Sequence, residues 1–182
     1  MRSSKNSADL RPIAEGELCS ALFSDFRRRQ RVTYCLRNDG GGWREAYAPS
    51  IDDWSAADYD FLIECLRHTL QTGGAVFGMF VGGKLKGFAS VEGAPLGKDG
   101  VYRDSTSIHV SEEFRGRGWG RKLFDCAKGW AKAHGAEKLY ISSHSAVESQ
   151  AFYRAMGCTD ALERIQEHVQ KEPLDRQLEC LL

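Results

Sequence analysis

Two stretches of the chain carry apolar residues at the spacing of an amphipathic helix. In "SAADYDFLIECLRHTLQTGG", Ser55 stands at the position of an N-cap and Gly73 at the far end. The apolar positions between them are Tyr59, Leu62, Ile63, Leu66 and Leu70. A second stripe, which ends before Gly135, has its apolar positions at Leu123, Phe124, Ala127, Trp130 and Ala131. The pattern predicts two helices, each with one buried face.

Two other segments also favour helices. The stretch "IAEGELCSALFSDF" predicts a first helix over residues 13–26. A short helix is predicted after "KLYIS", where Ser145 and Glu148 have the spacing of a capping box and Gly157 closes the far end.

The remaining apolar runs predict strands. The segments "RVTYCLR" and "WREAYAP" flank "NDGGG" and predict a hairpin, and "AVFGMFV" with "LKGFASVEG" predicts a second one. Three single strands are expected at "DSTSIHV", "KLYIS" and "RQLECLL". This order of elements predicts a mixed sheet with helices packed on it, in one α/β or α+β domain that spans residues 1–182.

Composition narrows the class of protein. Lys plus Arg equals Asp plus Glu at 25 each, so no overall charge favours nucleic acid or an anionic membrane. The basic run "RRRQR" at residues 27–31 is interpreted as a solvated helix end rather than an RNA contact. Six scattered cysteines without ligand spacing predict a reduced compartment and no metal site. The polar N-terminus and the lack of a long apolar run predict a cytoplasmic protein.

Residues 113–122, "EFRGRGWGRK", combine three glycines with four cations between a predicted strand and a predicted helix. A helix N-terminus offers unpaired backbone N–H groups and the positive end of the helix dipole, and glycine lets a ligand approach closely. Such a turn is typical of a phosphate or pyrophosphate site. The glycine spacing fits neither the Walker loop nor the dinucleotide fingerprint. The pattern that remains is Arg-x-x-Gly-x-Gly, formed by Arg115, Gly118 and Gly120.

The stretch "SIHVSEEFRGRGWGRKLFDCAKGWAKAHG", followed by "KLYISSHSAVESQAFYRAMGC", resembles the GCN5-related N-acetyltransferases, called GNAT enzymes. The resemblance is strong over residues 107–158, and the order of elements before that is consistent with it. It implies a mostly antiparallel central sheet flanked by helices, and an enzyme whose acetyl donor is acetyl-CoA. Many members carry an asparagine seven residues before the tyrosine of the later helix, where this chain has Ala146.

The resemblance also implies roles for individual residues. The glycine turn is expected to hold the pyrophosphate of acetyl-CoA, and the strand before it to hydrogen-bond the pantetheine arm. The tyrosine of "AFYRAMG", Tyr153, is expected near the sulfur. The cofactor-binding residues expected in this way are Ile108, Val110, Arg115, Gly116, Arg117, Gly118, Trp119, Gly120 and Arg121.

Acetyl transfer to an amine needs a neutral amine, a stabilised oxyanion and a protonated leaving thiolate. Tyr153 is the expected general acid, because a phenol with a pKa of about 10 can donate to a thiolate. The backbone N–H of Val110 is the expected oxyanion donor. Glu92, at the end of "FASVEG", is the expected base, with His109 and His144 as alternatives. His109 faces the side of its strand opposite to its neighbours.

Three functions stay open at this point. The leading one is acetylation of a primary amine on a small molecule, with a peptide or protein lysine as the alternative acceptor. The second is a CoA-binding sensor without turnover, and the third, disfavoured by the balanced charge, is RNA binding. An aromatic wall for the acceptor pocket is expected from Trp43, Tyr47, Trp54 and Tyr59. The apolar strand "RQLECLL" is a candidate contact in a homodimer.

Overall fold

The computed structural model describes residues 8–182. Its strands in this range are β1 (Ala8–Pro12), β2 (Arg29–Asn38), β3 (Trp43–Asp53), β4 (Ala75–Val81), β5 (Lys84–Val91), β6 (Tyr102–Asp104), β7 (Ser107–Val110), β8 (Lys138–Ser143), β9 (Thr159–Asp160) and β10 (Arg176–Leu181). Its α-helices are α1 (Ala56–Gln71), α2 (Trp119–Ala133), α3 (Val147–Ala155) and α4 (Gln166–Lys171).

The strands form two four-stranded sheets and a two-stranded ribbon. The first sheet has the order β1-β4-β5-β7 and is antiparallel throughout. The second has the order β6-β8-β10-β9, and its β6–β8 pair runs parallel. Strands β2 and β3 form the ribbon. The expected mixed, mostly antiparallel sheet flanked by helices is confirmed, and the single-domain organisation stays a prediction.

Helices α1 and α2 pack on opposite faces of the first sheet. From α1, Leu62, Ile63 and Leu66 join one core cluster with Phe80 and Phe88 of the strands. From α2, Leu123 packs on Met79 and Ala89 on the other face. The same helix also sends Phe124, Ala127 and Ala131 against Leu139, Ile141 and Leu178 of the second sheet. Helix α2 therefore spans both sheets and fixes their relative position.

The two sheets part between β7 and β8. The backbone N–H of Ser105 still donates to the carbonyl of Tyr140 in β8, at 2.9 Å. One residue later the Thr106 hydroxyl lies 2.9 Å from the Ser90 hydroxyl of β5, and from Ser107 the chain pairs with β5. The prediction of one strand at "DSTSIHV" was therefore wrong, because the chain leaves one sheet and enters the other within it.

The ribbon of β2 and β3 bridges this gap. At its base the Glu112 N–H donates to the Arg27 carbonyl at 3.0 Å, and Arg115 Nη1 donates to the Arg29 carbonyl at 2.7 Å. Further along, the Leu36 N–H donates to the Ser145 carbonyl at 2.7 Å. The basic run at residues 27–31 is thus the base of a strand, and its interpretation as a helix end was wrong.

The helix predicted over residues 13–26 is also absent. Two short 3-10 helices, Glu15–Glu17 and Ser20–Phe23, form there instead. The buried residues Ile13, Leu18 and Phe23 recur every five positions. Since positions five apart lie about 140° apart around an α-helix, one helix could not bury them all on one face.

The predicted N-cap is confirmed at α1 and corrected at α3, whose far end is closed by Gly157 as predicted. Ser55 caps α1 through a capping box with Asp58. At α3 the N-cap is Ala146, with no side-chain cap, because the Ser145 hydroxyl accepts a hydrogen bond from Arg37 Nη1 at 2.7 Å. The hydroxyl that a capping box would need is therefore occupied by a residue of the ribbon.

Strand β10 pairs with β8 along its whole length and with the two-residue strand β9 at Leu178 and Glu179, so the middle of "RQLECLL" offers no free edge to a second copy. The homodimer itself stays a prediction. Within residues 8–182, every helix is too short or too polar to cross a bilayer.

Replacing Leu66 by alanine should test the packing of α1. Leu66 is 1% exposed within the core, so we expect the free energy of unfolding to fall by about 2–5 kcal/mol. Leu162, which is 85% exposed, is the matched control, and its alanine variant should change stability by less than about 0.5 kcal/mol. Equal effects in urea unfolding would show that α1 is not packed as described.

Candidate active site

A cleft of about 750 Å³ lies where the two sheets part. Strand β7 and the glycine turn form one wall, and the end of β8 with helix α3 forms the other. The first residues of β2 cover it from the ribbon side. The sequence expected nine cofactor-binding residues, and eight of them line this cleft; the exception is Arg117.

The edge of β7 that faces the cleft has no strand beside it in the described chain. The Ser111 N–H donates across to the Lys86 carbonyl at 2.9 Å. Because hydrogen-bond directions alternate along an antiparallel strand, the backbone groups of Ile108 and Val110 point the other way, towards the cleft. The Val110 carbonyl accepts from Arg115 Nε at 3.0 Å. The Val110 N–H and both groups of Ile108 are left to pair with an extended ligand.

The glycine turn adds an anion site at the end of this edge. Gly116 and Gly118 have φ of 73° and 80°, which side chains rarely adopt, and a Cβ on either would meet nothing within 4 Å. Among residues 8–182 no group accepts a hydrogen bond from the backbone N–H of residues 116–118. The first turn of α2 has unpaired N–H groups by its nature. These donors, at the positive end of the helix dipole, suit a phosphate group.

The arginines of the turn contact the protein itself. Arg115 holds the Val110 and Arg29 carbonyls, so it ties β7 to the ribbon. Arg121 Nη2 donates to the Ala155 carbonyl at 3.2 Å, and the Arg117 guanidinium lies 5.2 Å from the centre of the Phe114 ring. The direct pairing of these arginines with a phosphate stays a prediction. The unpaired donors that suit an anion are mainly backbone N–H groups of the turn.

Tyr153 lies on α3 and lines the cleft between the two walls. The residue is 9% exposed, and its ring packs edge to face against Phe124, with centroids 6.0 Å apart. Within the described residues the phenol has no hydrogen-bond partner. Burial raises the pKa of Tyr153, and the nearby Cys158 and Asp175 raise it further. The phenol therefore stays protonated at neutral pH and can donate into the cleft.

His109 lies on the opposite face of β7 from Ile108, as the alternation predicted. Its Nδ1 accepts from Arg28 Nε at 3.1 Å, which assigns the ring proton to Nε2. Arg28 Nη2 in turn binds Asp52 Oδ2 at 2.7 Å, and the Trp54 ring packs on the imidazole at 4.9 Å. Burial, together with the charges of Arg28 and Arg115, lowers the pKa of His109 to about 3. In this arrangement His109 is a neutral donor.

The other two candidate bases occupy different positions. Glu92 does not line the cleft: its Oε1 accepts from the Thr69 hydroxyl at 2.7 Å and from the Thr106 hydroxyl at 2.9 Å. It reaches the cleft only through Thr106, and its role as base stays a prediction. His144 lines the cleft, and its Nδ1 accepts from the Ala146 N–H at 3.1 Å, next to the start of α3.

The expected aromatic wall is not formed, because none of its four residues lines the cleft. Trp54 lies behind the cleft beside Arg28 and His109, and the Tyr59 hydroxyl accepts from the Arg28 N–H at 3.0 Å. Trp43 instead lines a second cavity of about 460 Å³, and Tyr47 is 70% exposed on the ribbon.

Sequence reasoning missed five charged residues that line the cleft: Arg28, Arg31, Asp52, Glu148 and Asp175. Arg28 and Arg31 belong to the basic run, which was interpreted as solvated, and nothing in the run itself marks a site residue. Glu148 was considered only as part of a capping box. The two aspartates stood in ordinary polar segments, which gave no signal. No cluster of three or more His, Cys, Asp or Glu side chains suited to a metal occurs in the part of the chain described.

The family follows from a match of sequence. Residues 41–158 match the model of the acetyltransferase (GNAT) family, and this range is more than half of the chain. The chain therefore belongs to the GNAT family of acetyltransferases. It is an acyltransferase whose donor substrate is acetyl-CoA, and the open strand edge with its phosphate site fits such a donor.

Solved structures show the same fold. Nourseothricin acetyltransferase superposes with a TM-score of 0.65 at 19% identity, over 94% of this chain and 95% of that one. A streptothricin acetyltransferase of Bacillus anthracis, described as putative and complexed with acetyl coenzyme A, gives 0.67 at 14% identity over 98% and 99%. The PaiA N-acetyltransferase of Thermoplasma acidophilum, complexed with coenzyme A, gives 0.61 at 12% over 97% and 99%. No curated protein matches the chain.

The state of His109 predicts how stability depends on pH. The folded pKa of about 3 lies below the ordinary value of about 6.5, so between these values the unfolded chain takes up a proton that the folded chain does not. Stability is therefore lost as the pH falls from about 6.5 towards about 3.

A His109→Leu variant should lose less stability than wild type between pH 7 and pH 5 in urea unfolding. His68→Leu, on the exposed side of α1, is the control and should follow wild type. Parallel curves for wild type and His109→Leu would contradict the neutral state of His109.

Proposed function

We propose that this protein is an N-acetyltransferase that moves the acetyl group of acetyl-CoA to a primary amine of a small molecule, by direct attack in a ternary complex. The observation that carries the proposal is the open edge of β7, which runs from the anion site of the glycine turn to the face of Tyr153. An extended arm with a phosphate at one end and a reactive thioester at the other has the shape of this surface.

The donor is expected to bind mainly through backbone groups. The pantetheine arm would pair with Ile108 and Val110 as an added strand. The pyrophosphate would accept hydrogen bonds from the turn and the first turn of α2. The residues assigned to donor binding are Ile108, Val110, Arg115, Gly116, Gly118, Trp119, Gly120 and Arg121, with Arg117 adding charge outside the cleft.

Two groups of the chain would act on the reacting atoms. The Val110 N–H, which faces the cleft, would stabilise the oxyanion that forms when the amine attacks the thioester carbonyl. The Tyr153 phenol would protonate the departing sulfur. Because burial keeps this phenol protonated, the acid is in the required state at neutral pH.

A small acceptor is favoured by the cover over the cleft. The base of the ribbon closes it on the side of His109, where Arg28, Asp52 and Gln30 line the wall. Two structural neighbours are named as acetyltransferases of the antibiotics nourseothricin and streptothricin, the second described as putative, and this supports the same class of acceptor for this chain. A peptide or protein lysine is the alternative acceptor.

Donor binding at the glycine turn can be tested with two glycines of the same conformation. Gly118→Leu places a side chain at φ 80° on the cleft, and Gly135→Leu places one at φ 81° beyond the end of α2. Both variants carry a similar backbone strain, of about 1–2 kcal/mol. We expect calorimetric titration with acetyl-CoA to show affinity lost at least tenfold in Gly118→Leu and unchanged in Gly135→Leu. Equal affinities would place the donor elsewhere.

The acid role predicts a separation of catalysis from binding. Tyr153→Phe should lower kcat by about 10²-fold or more, while the affinity for acetyl-CoA stays within about twofold. Tyr47→Phe, on the exposed face of the ribbon, is the control. An unchanged kcat would assign Tyr153 to packing alone. Tight acetyl-CoA binding by wild type without turnover of any amine would favour the sensor.

A further inference from the structure

Asp175 is a half-buried carboxylate of the cleft that has no part in the roles assigned so far. It precedes β10 and also lines the second cavity beside the cleft. Within residues 8–182 it makes no ion pair with Lys, Arg or His. The hydrogen bond its side chain accepts, from the Ser142 hydroxyl, is long at 3.4 Å. A half-buried charge with so weak a partner is costly, and this points to a ligand that completes it.

The groups that face Asp175 come from four elements. Tyr153 of α3 is close enough for the charge of Asp175 to raise its pKa, and His144 after β8 lowers the pKa of Asp175. Glu172, after α4, raises it. On the side of the second cavity lie the cationic residues Arg37 of β2 and Arg164. Asp175 thus stands at the junction of the two cavities, within electrostatic range of the proposed acid.

We propose that Asp175 binds the acceptor ammonium and takes the proton that the amine must lose before it attacks. This inference rests on the proposed function and names the base of the same site. The second cavity would then receive the rest of the acceptor beyond its amine.

Asp175, Tyr153 and the two substrates account for every proton in the proposed reaction. The ammonium gives one proton to the Asp175 carboxylate, which passes it to solvent through the open cleft. The free amine forms the new C–N bond with the thioester carbonyl carbon, and the C–S bond breaks. Tyr153 gives its proton to the thiolate and recovers one from the nitrogen, which leaves a neutral amide. One proton is released overall.

The surroundings of Asp175 suit a base. Burial, and next the charge of Glu172, raises the pKa of Asp175 above its ordinary value. A carboxylate with a raised pKa is a stronger proton acceptor than an exposed one. The acid limb of the rate should therefore report this group, with activity lost as the pH falls through its folded pKa.

The other carboxylates and imidazoles are placed less well. Glu92 is separated from the cleft by Thr106, and it already accepts two hydroxyl hydrogen bonds. The Nδ1 of His109 is occupied by Arg28, which leaves that ring a donor. The Nδ1 of His144 accepts from a backbone N–H. Of the other cleft carboxylates, Asp52 is paired with Arg28 and Glu148 is exposed on α3. Asp175 is half-buried near Tyr153, and its acceptor capacity is largely unused.

The experiment is the pH dependence of kcat/KM with three primary amines as probes, tyramine, spermidine and L-lysine methyl ester, with release of free CoA thiol as the readout. The probe with the fastest wild-type turnover is carried through four variants. Asp175→Asn removes the base, Asp175→Glu keeps a carboxylate, Glu172→Gln removes only the neighbouring charge, and Glu92→Gln tests the base expected from sequence. Acetyl-CoA affinity is measured for each by calorimetry.

We expect Asp175→Asn to bind acetyl-CoA normally, to lose at least 10²-fold in kcat/KM and to lose the acid limb. Asp175→Glu should retain the limb at a reduced rate. Glu172→Gln should keep the full rate with the limb shifted to lower pH, because a charge that raises the pKa is gone. If Asp175→Asn does not fold, the shift of the acid limb in Glu172→Gln still tests the proposal.

Two results would overturn the proposal, and they are distinguishable. An acid limb that survives in Asp175→Asn, or disappears in Glu92→Gln, would remove Asp175 as the base while the acetyltransferase function stands. Absence of wild-type turnover with all three amines would count against the proposed function and the base together.

Discussion

The structure depends on one constraint, which is that the edge of a strand inside the protein is left without a neighbouring strand. Backbone N–H and C=O groups need partners when they are shielded from water. Here the chain changes sheets at Ser105 and Thr106, so β7 pairs with β5 on one side and faces a cleft on the other. One of these unpaired backbone groups, the Val110 carbonyl, accepts a hydrogen bond from Arg115 Nε. The Val110 N–H and both backbone groups of Ile108 remain available to a ligand that has peptide-like groups of its own.

In the proposed function, the same split separates the two substrates. Side chains alternate along β7, so Ile108 and Val110 pack towards α2 and the glycine turn, while His109 lies with Arg28 and Trp54 on the other face. A donor bound along the edge has its phosphates on the α2 side. In the proposed function, the ribbon covers the acceptor on the side of His109. Tyr153 and Asp175 line the far wall, where the proposed acid can protonate the departing sulfur and the proposed base can accept a proton from the ammonium.

Local sequence predicted the parts of the fold that are stabilised locally. Helix α1 has a strong apolar stripe and a capping box at Ser55, and the glycine turn has a spacing that few other structures require. The split strand was not predictable, because residues 104–110 look like one strand and only the positions of β5 and β8 divide them. The prediction of a helix over residues 13–26 failed for a related reason. The buried residues of this segment contact the core but do not have the spacing of one helix face.

The candidate site divides in the same way. The residues proposed to bind the donor lie in one continuous stretch, so the sequence and the family resemblance could predict them. Arg28, Asp52 and Asp175 come from three distant segments, and only the folded chain brings them to the cleft. Glu92 shows the opposite case, a carboxylate at a strand end whose hydroxyl partners, Thr69 and Thr106, hold it outside the cleft.

Amide hydrogen exchange, measured with and without CoA, tests the central claim most directly. If the open edge of β7 and the glycine turn together hold the donor, protection should appear in residues 107–111 and 116–121. The outer strand of the ribbon, β3, should exchange as before. Protection confined to other segments, with these two unchanged, would contradict the account of the split sheet as the donor site.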